Sequence, residues 1–380
     1  MDCVCDVASS CTRRAGCRIT RDVPTSIEWT QSDDGTAGET WNCVRGCSRV
    51  SPGCGGARGE GGCYAERIAL RSAQPGGAYH GLVRFGKQGP RWTGKVVFDA
   101  ERLLEPIGWK KARRIFVNSM SDLFHESLTN EQIAAVFGVM AACPQHTFQI
   151  LTKRAKRMHE WFEWVATLGG TPAAIVNALR ACAIDLGHLQ GLKKPLPRGL
   201  VPQLTGDHWP LPNVWLGISA ETQEYADERV PKLLLVPAAI RFVSYEPALA
   251  LVRFRDWLRT PGMPEKVVKP YSNPIEYVPV VGLDWIIVGG ESGPGARPFD
   301  VRWGESVVEE CKTANIKCFF KQFGAQPHDS RRSLVGGWMP GDPEPDTRIH
   351  LRDRKGGDMA EWPENLKHLC VRQWPERVAA

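Results

Sequence analysis

The chain has 380 residues, of which 42% are hydrophobic and 24% charged, with a net charge of +6. That balance is ordinary for a globular protein and allows one large domain or two smaller ones with a sizeable core. No apolar run reaches the roughly 18 residues that a bilayer span requires, and Met1-Asp2-Cys3-Val4-Cys5-Asp6 lacks the basic-then-apolar order of a secretory signal. The expected compartment is the cytoplasm, where clustered cysteines bind metal or do redox chemistry and disulfides are rare.

In chain order, residues 1–26 are polar, cysteine-rich and aperiodic, and read as a weakly ordered extension. Its Cys3, Cys5, Cys11 and Cys17 form either an untidy tail or a second cluster site. A glycine-rich stretch follows with Cys47, Cys54 and Cys63. Three clustered thiolates with no fourth partner nearby suit an iron–sulfur cluster that keeps one iron open, whereas structural zinc wants four closed ligands. The scattered Cys143, Cys182, Cys311, Cys318 and Cys370 read as buried small hydrophobes.

Near-continuous apolar runs then recur at Lys95–Phe98, Arg114–Val117, Thr147–Leu151, Asn213–Ile218, Ile240–Val243, Trp285–Val288 and Ile316–Phe320. Such runs suit parallel strands buried on both faces. Helical patterns lie between them. One is capped by Asn130 and runs through Ile133, Val136, Phe137 and Met140; others span Glu221–Leu235 and Gly304–Thr313. The alternation predicts βα units and a parallel sheet. Nearly every strand runs into polar residues: Asn118, Ser119 and Asp122; Lys153 and Arg154; Glu221; Glu246; Gly289, Gly290 and Glu291; Lys321. Polar ends on so many strands favour a barrel, whose site lies at the C-terminal strand ends, over an open doubly wound sheet with one switch point.

The predicted class is therefore α/β, a partial or full (β/α) barrel of mostly parallel strands over residues 27–325. Insertions near 161–207 (largely helical) and 253–281 (proline-rich) are each able to cover the site. Residues 326–380 form a C-terminal extension packed on the barrel. Two basic groups, Lys110-Lys111-Arg113-Arg114 and Lys153-Arg154-Lys156-Arg157, read either as solvated loop ends or as a phosphate-binding rim. The second lies nearer the expected mouth.

Several segments, in order, carry a family resemblance. They are Ile27-Glu28-Trp29-Thr30, Thr40-Trp41-Asn42, Gly46-Cys47, Ser51-Pro52-Gly53-Cys54, Cys63-Tyr64-Ala65-Glu66-Arg67, Arg114 through His125, Gln149 through Arg154, Arg241-Phe242-Val243-Ser244 with Glu246-Pro247, Val288 through Gly293, and Phe319-Phe320-Lys321-Gln322. Over roughly Ile27 to Pro375 the chain resembles a phage-associated three-cysteine protein family, itself similar to divergent radical S-adenosylmethionine enzymes. The family's usual Cys-x6-Cys-x2-Cys spacing is widened here by Gly55 to Gly62, a loop whose glycines let it bulge without moving its ends. Cys43 stands where the family usually has proline. It begins an imitation of Cys-x3-Cys-x2-Cys that fails at Val50, and leaves Cys43 as a possible substitute ligand.

The resemblance implies a 4Fe–4S cluster on Cys47, Cys54 and Cys63, with S-adenosylmethionine on the open iron. It also implies an electron donor and a 5′-deoxyadenosyl radical that takes a hydrogen atom from substrate. On that reading Asn118, Ser119, Lys153, Glu246, Gly289, Gly290 and Glu291 surround the cofactor. Asp122, His125 and Glu246 are the catalytic candidates, and Arg154, Lys156 and Lys321 face substrate. Blander roles compete: Asp122 and His125 could stabilise a loop, Gly289-Gly290 could be a tight turn, and Glu246 could cap the next segment. The substrate expected is DNA or RNA, modified or repaired. The alternatives are radical chemistry on a small molecule or peptide, and a non-enzymatic cluster- or zinc-bearing nucleic-acid-binding protein.

Overall fold

Seven short strands lie side by side in chain order: β1 (Glu39–Trp41), β2 (Arg114–Val117), β3 (Thr147–Thr152), β4 (Val214–Ser219), β5 (Ile240–Tyr245), β6 (Trp285–Gly289) and β7 (Lys317–Gln322). Every neighbouring pair is parallel. The helices are α1 (Tyr64–Leu70), α2 (Asn130–Ala141), α3 (Ala155–Val165), α4 (Pro172–Leu189), α5 (Gln223–Leu235) and α6 (Val301–Ala314). This computed structural model describes residues 25, 27–32, 35–55, 62–189, 208–259, 266–268, 277–279, 281–333 and 346–376. The N-terminal Cys3, Cys5, Cys11 and Cys17 lie outside them. No described helix is long and apolar enough to cross a membrane.

β1 and β7 are the two ends of the sheet, so the fold is a partial (β/α) barrel. Alternation along the strands separates two apolar layers. Ile115, Val117, Ile150, Leu216, Val243 and Ile286 pack with the helices on the outside. Phe116, Trp215, Phe242, Ile287 and Phe319 fill the concave side together with Trp29. The C-terminal segment seals this side and the exposed strand edge. The Phe320 backbone N–H donates to Val371 O (2.7 Å), Trp285 Nε1 to Gln373 O (2.9 Å) and Trp374 Nε1 to Trp29 O (3.0 Å).

Several sequence expectations are corrected. Of Lys95–Phe98 only Val97–Phe98 is extended, and it pairs antiparallel with Val44–Arg45 outside the main sheet. It is too short and too exposed for a core strand. Its place at the sheet edge is taken by the three residues of β1. The α2 cap is Thr129, one residue before Asn130. Thr129 Oγ1 accepts the Gln132 N–H (3.2 Å) while Gln132 Oε1 accepts the Thr129 N–H (3.0 Å), a reciprocal capping box. The described part of the first insertion packs as α4 against α2, in the outer layer rather than over the strand ends. A Cβ on Gly138 would stand 2.2 Å from Leu179 O, so the close helix crossing needs glycine there. The second insertion begins as core packing through Phe254 and Leu258 and contains the antiparallel pair Lys266–Val268 and Tyr277–Pro279. Cys143, Cys311 and Cys318 are buried, but Cys182 is half-buried and Cys370, at the end of a short 3-10 helix, is exposed.

Candidate functional site

The cysteine loop leaves β1, passes Cys47 and Cys54, and returns at Cys63 into the first turn of α1. It lies over the C-terminal ends of the strands, and the polar residues there grip it. Arg154, at the end of β3, is almost completely buried. Its Nη2 donates to Ser48 Oγ (2.8 Å) and Ser48 O (3.1 Å), and its Nη1 lies 3.8 Å from Cys47 Sγ. The same guanidinium is oriented by Asp122 (3.1 Å) and Glu126 (2.9 Å). Asp122 is itself spent on Thr152 Oγ1 (2.7 Å) and on the backbone N–H groups of Phe124 and Lys153.

His125 grips the same serine. Its Nδ1 accepts the Ser127 N–H (3.2 Å), so Nε2 carries the proton and donates to Ser48 Oγ (3.0 Å). Burial and the neighbouring Arg154 push its pKa below the usual imidazole value, which favours the neutral ring.

Glu221, after β4, is fully buried. It accepts from Ser51 Oγ of the loop (2.9 Å), Lys153 Nζ (2.5 Å) and Arg229 Nη1 (3.1 Å). The approach is so close that a Cβ on Gly53 would stand 2.1 Å from Glu221 Oε1. Glu291, after β6, accepts the Gly62 N–H (3.2 Å) and a fork from Arg297 (2.8 and 2.9 Å). Arg297 in turn donates to Pro52 O (2.8 Å). Inside the loop, Arg49 pairs with buried Glu66 of α1, which also accepts the Trp92 N–H. Buried ion pairs of this kind add little net stability, because desolvation offsets the attraction, but they fix position. Segments following four β-strands, β2, β3, β4 and β6, and α1 therefore hold one loop in register.

This arrangement revises the roles read from the sequence. Asp122, His125, Lys153, Arg154 and Glu291 turn to the loop or to one another; their polar atoms anchor the cysteine segment. Asn118 adopts φ +59° and accepts the Val44 N–H (3.2 Å), with Cys43 Sγ 3.7 Å from the same oxygen. Cys43 is thus a fully buried core residue. Ser119 Oγ donates to Asn42 Oδ1 (3.2 Å), and its carbonyl accepts from the Tyr64 hydroxyl. Gly290 serves packing, since a Cβ there would meet Phe323 O at 2.0 Å. Gly289 instead faces Glu246, whose Cδ lies 3.3 Å from the position a Cβ would take. Glu246 and Lys321 form a largely buried pair at 2.7 Å. Lys156 is exposed on α3, 3.8 Å from Glu160.

Most side chains of the two basic groups are engaged within the protein, while Lys110, Lys111 and Lys156 are exposed. Arg113 pairs with Glu39 (2.8 Å), and Arg114 donates to Gln31 O and stacks over Trp215 and Trp374. That group precedes β2 and so lies at the opposite end of the strands from the loop. In the second group Arg157 donates to Asn130 Oδ1 (2.7 Å), Lys153 and Arg154 are committed as above, and Lys156 is left. Glu221, Arg297, Arg49 and Glu66 were not among the predicted site residues. Glu221 carried a signal, as an acid immediately after a strand; Arg297, in a Gly/Pro-rich loop, carried none.

Burial pushes the Cys47 thiol up to about 12, with Asp122 adding to the shift and Arg154 opposing it. Burial and Cys54 raise that of Cys63. Metal binding would therefore displace protons. Among the described residues no three His, Cys, Asp or Glu side chains converge on a single ion. Cys54 and Cys63 nevertheless add to the upward shift of Cys47, and none of the three is in a disulfide. Arg154, with Nη1 3.8 Å from Cys47 Sγ, and Arg49 stand near these sulfurs and would offset thiolate charge, and soft sulfur donors are of the kind an iron–sulfur cluster takes.

The clamp has a pH signature. Opposing the penalty of burial, Lys153 and Arg229 hold the Glu221 carboxyl below its ordinary value of 4.5, and Arg297 does the same for Glu291. With folded-state values depressed, their contribution is fully present above about pH 4.5 and is lost as pH falls through the folded-state values. Thermal melts are expected to lose stability below that point more steeply in wild type than in Glu291→Gln. Parallel acid profiles for the two proteins would count against the clamp.

No curated protein and no solved structure matches the chain. Residues 24–363 match the model of a family described as a protein of unknown function, DUF5131. That match spans most of the chain, the cysteine loop and all seven strands included, and the protein belongs to the DUF5131 family.

Proposed function

We propose that this protein is a radical S-adenosylmethionine-type enzyme that modifies or repairs nucleic acid. The observation that carries the reading is the clamp: buried charges from β3, β4 and β6 converge on a loop whose exceptional content is three sulfurs. A loop needed only to connect β1 to α1 would not require Arg154 beside Cys47 or Glu221 against Gly53. The resemblance to a phage-associated family akin to radical enzymes supplies the chemistry and motivates the nucleic-acid substrate.

A 4Fe–4S cluster carrying S-adenosylmethionine, when bound to Cys47, Cys54 and Cys63, would supply one-electron cleavage of a carbon–sulfur bond. The chain's own residues orient and shield. Arg154 and Arg49 offset thiolate charge. Glu246 suits the cofactor ammonium or ribose hydroxyls and Lys321 its carboxylate, as charge-assisted contacts. Gly289 leaves room above Glu246. Trp215, Phe242 and Trp285 fill the concave side below, which would leave the strand ends to hold the cofactor.

The test is anaerobic reconstitution with iron and sulfide, addition of S-adenosylmethionine and dithionite, and detection of 5′-deoxyadenosine by mass spectrometry. Product is expected from wild type. Gly289→Val, which fills the space over Glu246, should weaken S-adenosylmethionine binding by about tenfold or more, roughly 1.4 kcal/mol, at unchanged iron content. Absence of both 5′-deoxyadenosine and calorimetric binding in the cluster-loaded wild type would overturn the reading.

A further inference from the structure

A groove of about 1190 Å³ opens beside the cysteine loop. It exceeds the roughly 300–1,000 Å³ of a small-molecule site. One wall is the segment after Glu291, beginning with Ser292 and Gly293. The other is built from 324–328 and 347–355. Its near end touches the cluster loop through Arg67, four residues beyond Cys63. The Arg67 guanidinium lies 3.0 Å from where a Gly293 Cβ would be.

Two features of the lining point to one class of ligand. Its rim carries Arg67, Arg348, Arg354 and Lys355, none with a carboxylate within ion-pair distance among the described residues. The lining carboxylate, Asp353, is turned inward onto the backbone N–H groups of Lys355 (3.1 Å), Gly357 (2.6 Å) and Asp358 (3.0 Å). Elsewhere in this molecule arginines near the strand ends are matched with acids; here they are not. Between them the walls alternate apolar side chains, Pro298, Ala325, Ile349 and Leu351, with polar ones, Gln326, Thr347, His328 and His350. Basic side chains along a trough with apolar and imidazole surface suit a chain that presents phosphates and base faces together. A duplex shows its phosphates but hides its base faces. Chemistry on a base requires the base to be out of the stack.

We infer that this groove is the track for single-stranded nucleic acid, leading it past Arg67 to the cysteine loop. The inference rests on the proposed function for its substrate class and replaces the rim expected at Lys153 to Arg157.

The test is fluorescence anisotropy of the cluster-loaded protein with a labelled mixed-sequence single strand of about 15 nucleotides, as DNA and as RNA, and with the matching duplex, over a salt series. Single strands should bind more tightly than duplex. Arg348→Ala with Arg354→Ala should weaken binding and make the slope of log affinity against log salt shallower by about 1.4, from roughly 0.7 for each phosphate no longer neutralised. Lys110→Ala with Lys111→Ala, at the far end of the strands, should leave the slope unchanged. Melting temperatures of the variants check that they fold. A wild-type slope in the Arg348/Arg354 variant, tighter duplex binding, or no binding at all would overturn the inference. Formation of 5′-deoxyadenosine without nucleic acid, read on the same preparations, reports separately on the radical chemistry, so failure of the groove and failure of the enzyme reading are distinguishable.

Discussion

Glu221→Ala is expected to destabilise the fold by about 3–5 kcal/mol, the usual cost of removing one partner from a buried ion pair, and to abolish cluster loading. Glu221 is fully buried and joins three things at once: Lys153 from β3, Arg229 from α5 and Ser51 from the cysteine loop. Truncation leaves two cations without their acid and frees the loop at Ser51. Glu221→Gln keeps an acceptor for Ser51 but removes the charge, so it should lose stability yet retain more iron than the alanine variant. Chemical denaturation and iron content on both variants check this. Equal iron in wild type and Glu221→Ala would show that the loop is set without the clamp.

Cys47→Ala, Cys54→Ala and Cys63→Ala should each abolish the absorbance near ~400 nm expected of a cysteine-ligated iron–sulfur chromophore. Cys43→Ala should retain it. The contrast follows from placement: Cys43 is sealed in the core against Asn118, whereas the other three are half-buried on the loop. Cys43→Ala should instead cost stability, as a small core truncation does. Ultraviolet–visible spectra after anaerobic reconstitution decide the matter. Full absorbance in Cys63→Ala would remove that ligand and make the widened loop between Cys54 and Cys63 the reason.

Much of the architecture was legible because buried parallel strands have near-continuous apolar sequences. β2 to β7 stand where such runs occur, within a residue or two at most ends. β1 escaped because three residues, Glu39 to Trp41, are too few for a period. Val97–Phe98 misled because hydrophobic composition does not reveal pairing partners. The cysteine loop was equally plain, since residue type and glycine content carry it. The clamp was not. Ser51 and Glu221 are 170 residues apart and Pro52 and Arg297 are 245 apart. Nothing local distinguishes an acid that will bind a ligand from one that will hold a loop. Asp122 and Arg154 were picked out as strand-end charges, yet their side-chain partners include Ser48, Thr152, Glu126 and each other. Gly290 followed the same pattern: a glycine suited to backbone approach, where what approaches is Phe323 O.

The central claim, that the strand ends hold Cys47, Cys54 and Cys63 as ligands of one cluster, is tested most directly by iron and acid-labile sulfide content after anaerobic reconstitution. The wild-type chain should take up about four iron and four sulfide, as one 4Fe–4S cluster requires, and Arg154→Met, which removes the grip on Ser48, should take up far less. One zinc per chain with no sulfide, or undiminished iron in Arg154→Met, would contradict it.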